Sequence, residues 1–350
     1  MLTSMQSRSI ALARGVIVFL IAPIHCVMVY STPQVKSGLL GHFMSFFAEY
    51  PGAHLFMFLM GLFIALSSEK KSSYIFKRSL LLLLVGYLLN AGKFVIPYTL
   101  DLLPKQFYSS NHITNDDLIV YRLLLINDIL HFAAVAYFIC GIIRKTRYAP
   151  LISILLALAT LILSPLLWNK GDTNNLFLNA LLDLAGGCPP KAYFPVLPWI
   201  FHPLLGMIYG FGVKRYTLSS RYLFITGAIL CLTGLYIEHY EPPEYQLTFF
   251  RSGPGGTLLH AGTTLIFISI LDIATNRIKT TTPLNFFSWC SAHITRIYLL
   301  QWIIVMWLLS ITGYETLNNI QSIIMIITVN TLTMLLVNHL TRSKNKTDES

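Results

Sequence analysis

The chain has 350 residues, 55% of them hydrophobic and 11% charged, with a mean hydropathy of +0.63. That leaves too little polar surface for a soluble globule, so the composition predicts a polytopic membrane protein. The net charge of +10 and pI near 9.3 fall on basic residues in short loops between apolar runs, which membrane topology explains, so no nucleic-acid partner is expected.

Hydropathy predicts ten helical spans, at about residues 10–30, 51–68, 75–97, 118–142, 148–168, 196–213, 221–239, 257–275, 284–309 and 320–340. The expected architecture is all-α, one membrane domain over residues 1–350 ending in a short cytoplasmic tail from Thr341. Loops on the side of the N-terminus carry sixteen Lys and Arg against five on the other. That bias predicts an even number of spans with both termini cytoplasmic.

The first run follows Arg8 and Arg14, as a signal peptide would. Its apolar core is long and shows no small-residue cleavage site, so it is read as a retained span. Within it, Arg14 and His25 are eleven positions apart, which on a helix places them about 20° apart in azimuth and roughly 16 Å apart in height. Polar groups in a span are costly and by default mark a functional site. The plainer alternative makes Arg14 a topology anchor and His25 a hydrogen-bonded packing residue.

His54 falls near the outer end of the second span. On the third, Lys77 and Arg78 stand at the inner mouth, as phosphate receivers or as topology anchors, and Asn90 and Lys93 lie toward the outer end. The fourth span carries Arg122, Asn127, Asp128 and His131. Asp128 and His131 are three apart, so they share a helix face and can pair, the carboxylate setting the tautomer of the imidazole. The alternative is a structural ion pair between Asp128 and Arg122 or Arg296.

Leu176 to Leu184 reads as a short helix at the membrane surface. Trp199 and His202 lie near the outer boundary of the sixth span, where interfacial preference accounts for such residues. Arg251 to Gly256 is glycine-rich but lacks phosphate-loop spacing, and reads as a turn ahead of the eighth span. Arg296 in the ninth span needs an acid or a ligand anion, with Asp128 its best internal candidate. The five cysteines (Cys26, Cys140, Cys188, Cys231, Cys290) offer neither zinc spacing nor an external disulfide, and no metal is expected.

Several stretches resemble the transmembrane acyltransferase superfamily, which includes the acyltransferase-three family and the heparan-α-glucosaminide N-acetyltransferase-like proteins. Arg8 to Gly15 followed by His25 is similar to its first helix, with an arginine and a histidine separated by ten residues. Pro51 to Ser67, leading through Lys77-Arg78 to Gly86, is similar to its second helix, basic loop and third helix, and Val196 to Gly210 resembles the proline-tryptophan helix of the heparan-type branch. Two departures stand out. The usual Asp before the arginine is Ala13 here, and Tyr298-Leu-Leu-Gln301 stands where many relatives show a histidine after a tyrosine.

The resemblance implies a multi-pass protein of the plasma or bacterial inner membrane that takes acyl-CoA, acetyl-CoA above all, from the cytoplasmic side. The acyl group would pass to a hydroxyl or amine of an external acceptor, a cell-surface sugar, polysaccharide or lipid-linked carbohydrate. His25 would then be a general base or a transient acyl carrier, with Asp128 and His131 tuning it; neutral imidazole suits the base role because its reference pKa is about 6.5. Arg14, Lys77, Arg78 and Arg296 would face the anionic donor, over a reach of ~16 Å that matches a pantetheine arm. His54, Asn90, Arg122, Trp199 and His202 would face the acceptor. A proton-coupled transporter or flippase is the alternative, since buried Arg, Asp and His also suit a carrier.

Overall fold

The computed structural model describes residues 4–113, 116–168, 170, 173–216, 219–245, 248–277 and 282–348, and the ordered elements among these are helices. The principal ones are α1 (Ser4–Tyr30), α2 (Ala53–Leu66), α3 (Ser72–Asn90), α4 (Ile129–Arg144) and α5 (Ala149–Leu163). They continue with α6 (Phe201–Arg215), α7 (Ser220–Tyr240), α8 (Pro254–Arg277), α9 (Ile294–Thr312) and α10 (Asn319–Asp348). Among the described residues, nine helical stretches are long and apolar enough to cross a membrane, matching every expected span except the fourth.

The fourth span is broken. A short helix, Ile119–Leu125, stops before Ile126, and α4 starts afresh at Ile129. Asp128 explains the restart: its backbone is extended and its Oδ1 accepts the Ile129 N–H at 2.7 Å, as an N-cap residue does. The backbone of Asn127 pairs outside the helix, donating to Lys191 O at 2.9 Å and accepting from Tyr193 N at 2.8 Å. Asn90 Nδ2 takes up two carbonyls near the break, Leu124 O at 2.9 Å and Ile126 O at 2.7 Å, as buried polar backbone requires.

Two other spans change pitch. The second extends from Leu39 through a π-turn at Ala48–Gly52 that contains Pro51, and the third runs through a π-turn at Ala91–Val95 that holds Lys93. A π-turn widens the helix by one residue and rotates the segment beyond it, a distortion frequent at functional sites. The expected ninth span is divided at His293, where Thr282–Ala292 ends and α9 begins.

Small residues let the inner helices touch backbone to backbone. A Cβ added at Gly61 of α2 would lie 1.8 Å from Pro203 O, and one at Gly206 of α6 would lie 1.9 Å from Phe58 O. Only hydrogen fits there, a device common in membrane helix pairs. Gly15 of α1 meets the carbonyl of Phe287 in the same way. By contrast α5, α7 and α10 leave large apolar side chains such as Ile162, Leu232 and Ile320 exposed, as helices facing lipid do. The short helix expected near Leu176 is present as Leu176–Gly186, capped by Asn175 Oδ1, which accepts from Phe177 N at 3.0 Å and Leu178 N at 3.1 Å.

Candidate functional site

The helix break and both π-turns border one cavity of about 460 Å³. From α1 it takes Ile17, Ile21, Ile24, His25 and Met28, a stripe at helical spacing. Ala48 and Gly52 come from the first π-turn, Lys93 from the second, and Asp128 from the cap of α4. Ser110, Asn111 and His112 also line it, as do Ile294 and Thr295. Half of the remaining wall residues are aromatic, including Phe107, Tyr193, Phe194, Phe249 and Phe250.

His25 is fixed from two sides by α9. Its Nδ1 lies 3.0 Å from Gln301 Oε1, and its ring stacks on Trp302 with centroids 3.8 Å apart. Gln301 Nε2 donates to Tyr298 O at 3.1 Å, so the amide oxygen, not the nitrogen, faces the imidazole. An oxygen there can only accept, so Nδ1 carries the proton and Nε2 holds the lone pair. A histidine with an oriented Nδ1–H and a free Nε2 has the arrangement of a general base.

The same indole also meets an ion pair. Lys93 Nζ lies 4.6 Å from the centroid of Trp302 and 4.7 Å from that of Phe94, and it bonds Asp128 Oδ2. Tyr298 donates its hydroxyl to the same carboxylate oxygen at 3.2 Å. Lys93 and Asp128 are both almost fully buried, which a pair tolerates and a lone charge does not. His25, Trp302, Lys93, Asp128 and Tyr298 thus form one continuous stretch of the wall.

The sequence-predicted residues divide into groups. Asp128 and His131 do meet, with His131 Nδ1 accepting the Asp128 backbone N–H at 3.1 Å, so the pair is a capping box instead of a carboxylate on an imidazole. The imidazole of His131 sits behind the wall against Tyr87, in room left by Gly86. Asp128 takes Lys93 as its partner, not Arg122 or Arg296. Arg122 bonds Asp116 at 2.8 Å, holding that carboxyl below its usual range, and Arg296 bonds Thr341 Oγ1 at 2.8 Å near the start of α9.

Arg14 lies about one helical turn before Ile17 on α1 and is not among the residues that line the cavity. Its Nε donates to Ser291 Oγ at 2.7 Å and its guanidinium stands 5.7 Å from the centroid of Phe63. Lys77 and Arg78 are exposed on α3, away from the cavity. Asn90 serves the helix break. His54, Trp199 and His202 gather with His260 in a buried cluster beside the cavity wall: the rings of His54 and Trp199 stack at 4.4 Å, and His54 lies 4.5 Å from His202 and 4.2 Å from His260.

Lys93, Tyr298, Gln301 and Trp302 were not among the predicted site residues. Tyr298, Gln301 and Trp302 recur at i, i+3 and i+4, which places them on one helix face, and Lys93 is a cation inside an apolar span. Both signals were present in the sequence.

Residues 7–240 match the family model described as heparan-alpha-glucosaminide N-acetyltransferase, catalytic. No curated protein and no solved structure matches the chain.

Proposed function

The chain belongs to the heparan-alpha-glucosaminide N-acetyltransferase catalytic family, and from that membership we propose that this membrane acyltransferase moves an acyl group, acetyl in the first instance, from cytoplasmic acyl-CoA to a hydroxyl or amine of an external acceptor. The acceptor class is a cell-surface sugar, polysaccharide or lipid-linked carbohydrate. The protein would lie in the plasma or bacterial inner membrane with both termini in the cytoplasm. The observation that carries the reading is His25 on the cavity wall, with Gln301 fixing its tautomer.

In this reading the acceptor approaches from the side of Ser110 to His112, and its O–H or N–H points at His25 Nε2. As the acceptor atom attacks the thioester carbonyl, Nε2 takes its proton. The carbon–sulfur bond then breaks, and the departing thiolate recovers that proton from the imidazole. Gln301 keeps the ring aligned throughout, and Trp302 blocks its rotation. Ile17, Ile21 and Ile24 of the cavity lining lie on α1 between Arg14 and His25, an apolar run that suits a thin chain whose anionic head rests near Arg14. Asp128 contributes through Lys93 and Tyr298, and His131 through the cap that positions Asp128.

The broken fourth span with its buried ion pair also suits a carrier. Purified protein in vesicles, given acetyl-CoA labelled in the acetyl group, separates the two. Release of free CoA with label on the acceptor supports the enzyme. Saturable acceptor flux without thioester consumption supports the carrier.

A further inference from the structure

Helix capping does not account for Lys93. Asp128 caps α4 with Oδ1, which accepts the Ile129 N–H, and a neutral Ser or Asn caps a helix equally well. Its other oxygen, Oδ2, bonds Lys93, so a buried ion pair is kept where the helix needs one hydrogen-bond acceptor. Such a pair costs desolvation, and apolar side chains of similar volume are often as stabilising or more so. A cation inside an apolar span, on a cavity wall and in a π-turn, has the marks of a functional group.

Its place relative to His25 indicates what it serves. The His25 ring and the Lys93 ammonium lie 3.8 and 4.6 Å from the centroid of the same indole, Trp302, and both residues line the cavity. They are therefore no farther apart than those two distances laid end to end. A base and a cation that act on one carbonyl group enclose the attacking atom, the carbon and the oxygen, with a hydrogen bond at each end. That arrangement needs a span of roughly 5–8 Å. Lys93 has three N–H donors, and its bond to Asp128 uses one of them.

We infer that Lys93 stabilises the oxyanion of acyl transfer; the inference rests on the acyl-transfer reading above. As His25 Nε2 takes the proton of the acceptor O–H or N–H, the acceptor atom bonds the acyl carbon and the carbonyl π pair moves onto its oxygen. A Lys93 N–H donates to that oxygen, and Lys93 keeps its proton. The electron pair then returns to re-form the carbonyl, the carbon–sulfur bond breaks, and the thiolate takes the proton from the imidazolium. Alcohol and amine acceptors pass through the same oxyanion, so the role of Lys93 is common to both.

The cation is in place before the charge develops. Asp128 bonds it, and the faces of Trp302 and Phe94 lie 4.6 and 4.7 Å from it, so it needs little reorganisation when the oxyanion forms. The residue is 2% exposed, and a charge acts more strongly in such a setting than in water.

The double variant Lys93→Met/Asp128→Asn in nanodiscs separates this role from a structural one, because it removes the pair without leaving either ion alone. A pair that serves only the fold would leave single-turnover acetyl transfer at the unmodified rate. The expected result is an unchanged Kd for CoA and a loss of about 10²–10³ in rate, the range for removing one oxyanion donor. A loss of less than tenfold overturns the inference. The loss should also depend on the donor. Fluorine already stabilises the oxyanion of fluoroacetyl-CoA, so with that donor the loss should be at least threefold smaller than with acetyl-CoA. An equal loss with both donors would mark a misplaced substrate and overturns the inference.

A further measurement needs no variant, so it decides the matter if the double variant does not fold. Infrared difference spectra of acetyl-CoA carrying carbon-13 at the carbonyl, bound to the unmodified protein without acceptor, report the field at the carbonyl oxygen. A carbonyl stretch at lower wavenumber than that of free acetyl-CoA in water supports the inference, and a stretch at the same or higher wavenumber overturns it. Failure of the unmodified protein to bind or cleave acetyl-CoA would remove the acyl-transfer reading itself and this inference with it, a result distinct from an unshifted carbonyl.

Discussion

His25 Nδ1 meets Gln301 Oε1 at 3.0 Å, although 276 positions separate the two residues in the chain. The contact joins α1 to α9 at the cavity wall and leaves the other imidazole nitrogen, Nε2, as the one with a free lone pair. A neutral amide thus orients the histidine where a carboxylate often does so.

Replacing that amide tests its role. Gln301→Leu keeps the bulk and removes the acceptor, so kcat should fall by roughly a hundredfold, within the 10²–10⁴ that a positioned base supplies. Gln301→Glu should restore orientation but add a negative charge beside the ring. Because that charge stabilises the protonated imidazole, the free base is reached only at higher pH, and the acidic limb of the kcat/KM profile should move upward in pH. Rates measured from pH 5 to 9 check both effects.

The Lys93 and Asp128 pair should show strong coupling in stability. Lys93→Met alone leaves a buried carboxylate unpaired and should cost about 3–5 kcal/mol. Lys93→Met combined with Asp128→Asn removes both charges and should recover most of that loss. Thermal unfolding of the two single variants and the double variant in one detergent gives the coupling directly.

The shared helix face of Arg14 and His25 was legible in the sequence because it depends on helical periodicity alone, and the structure places His25 on the cavity wall with Arg14 just beyond the lining. The partner of Asp128 was not legible. Lys93 reaches it only because the π-turn at Ala91–Val95 rotates the end of the third span, and hydropathy averages across such a turn. The break at Asp128 left a local trace, an N-cap residue with a hydrogen-bonding side chain three positions on at His131, inside a run that reads as one continuous span. Cross-chain pairs such as His25 with Gln301 carry no local signal.

Backbone contact between α2 and α6 makes a packing prediction with its own control. Gly206→Ala drives a methyl group against the carbonyl of Phe58, which cannot move aside as a side chain can, so the helices must separate at a cost of about 1–3 kcal/mol. Gly92→Ala lies on α9's side of the third span, where the nearest atoms are 3.8 Å away, and its Tm should stay close to that of the unmodified protein. Melting curves of the two variants check the contrast.

Arg14 should act on the donor. Arg14→Gln is expected to raise KM for acetyl-CoA several-fold while leaving KM for the acceptor unchanged, because Arg14 lies a helical turn beyond Ile17, outside the cavity lining and away from His25. Equal donor affinity in both proteins, measured by titration with CoA, would assign Arg14 to anchoring through Ser291.

The most direct test is single-turnover acetyl transfer by His25→Ala in nanodiscs, with folding verified by monodisperse elution and an unchanged Tm. General-base catalysis at Nε2 predicts a loss of about 10²–10⁴ in rate with donor binding retained. Transfer at the unmodified rate by folded His25→Ala would contradict it.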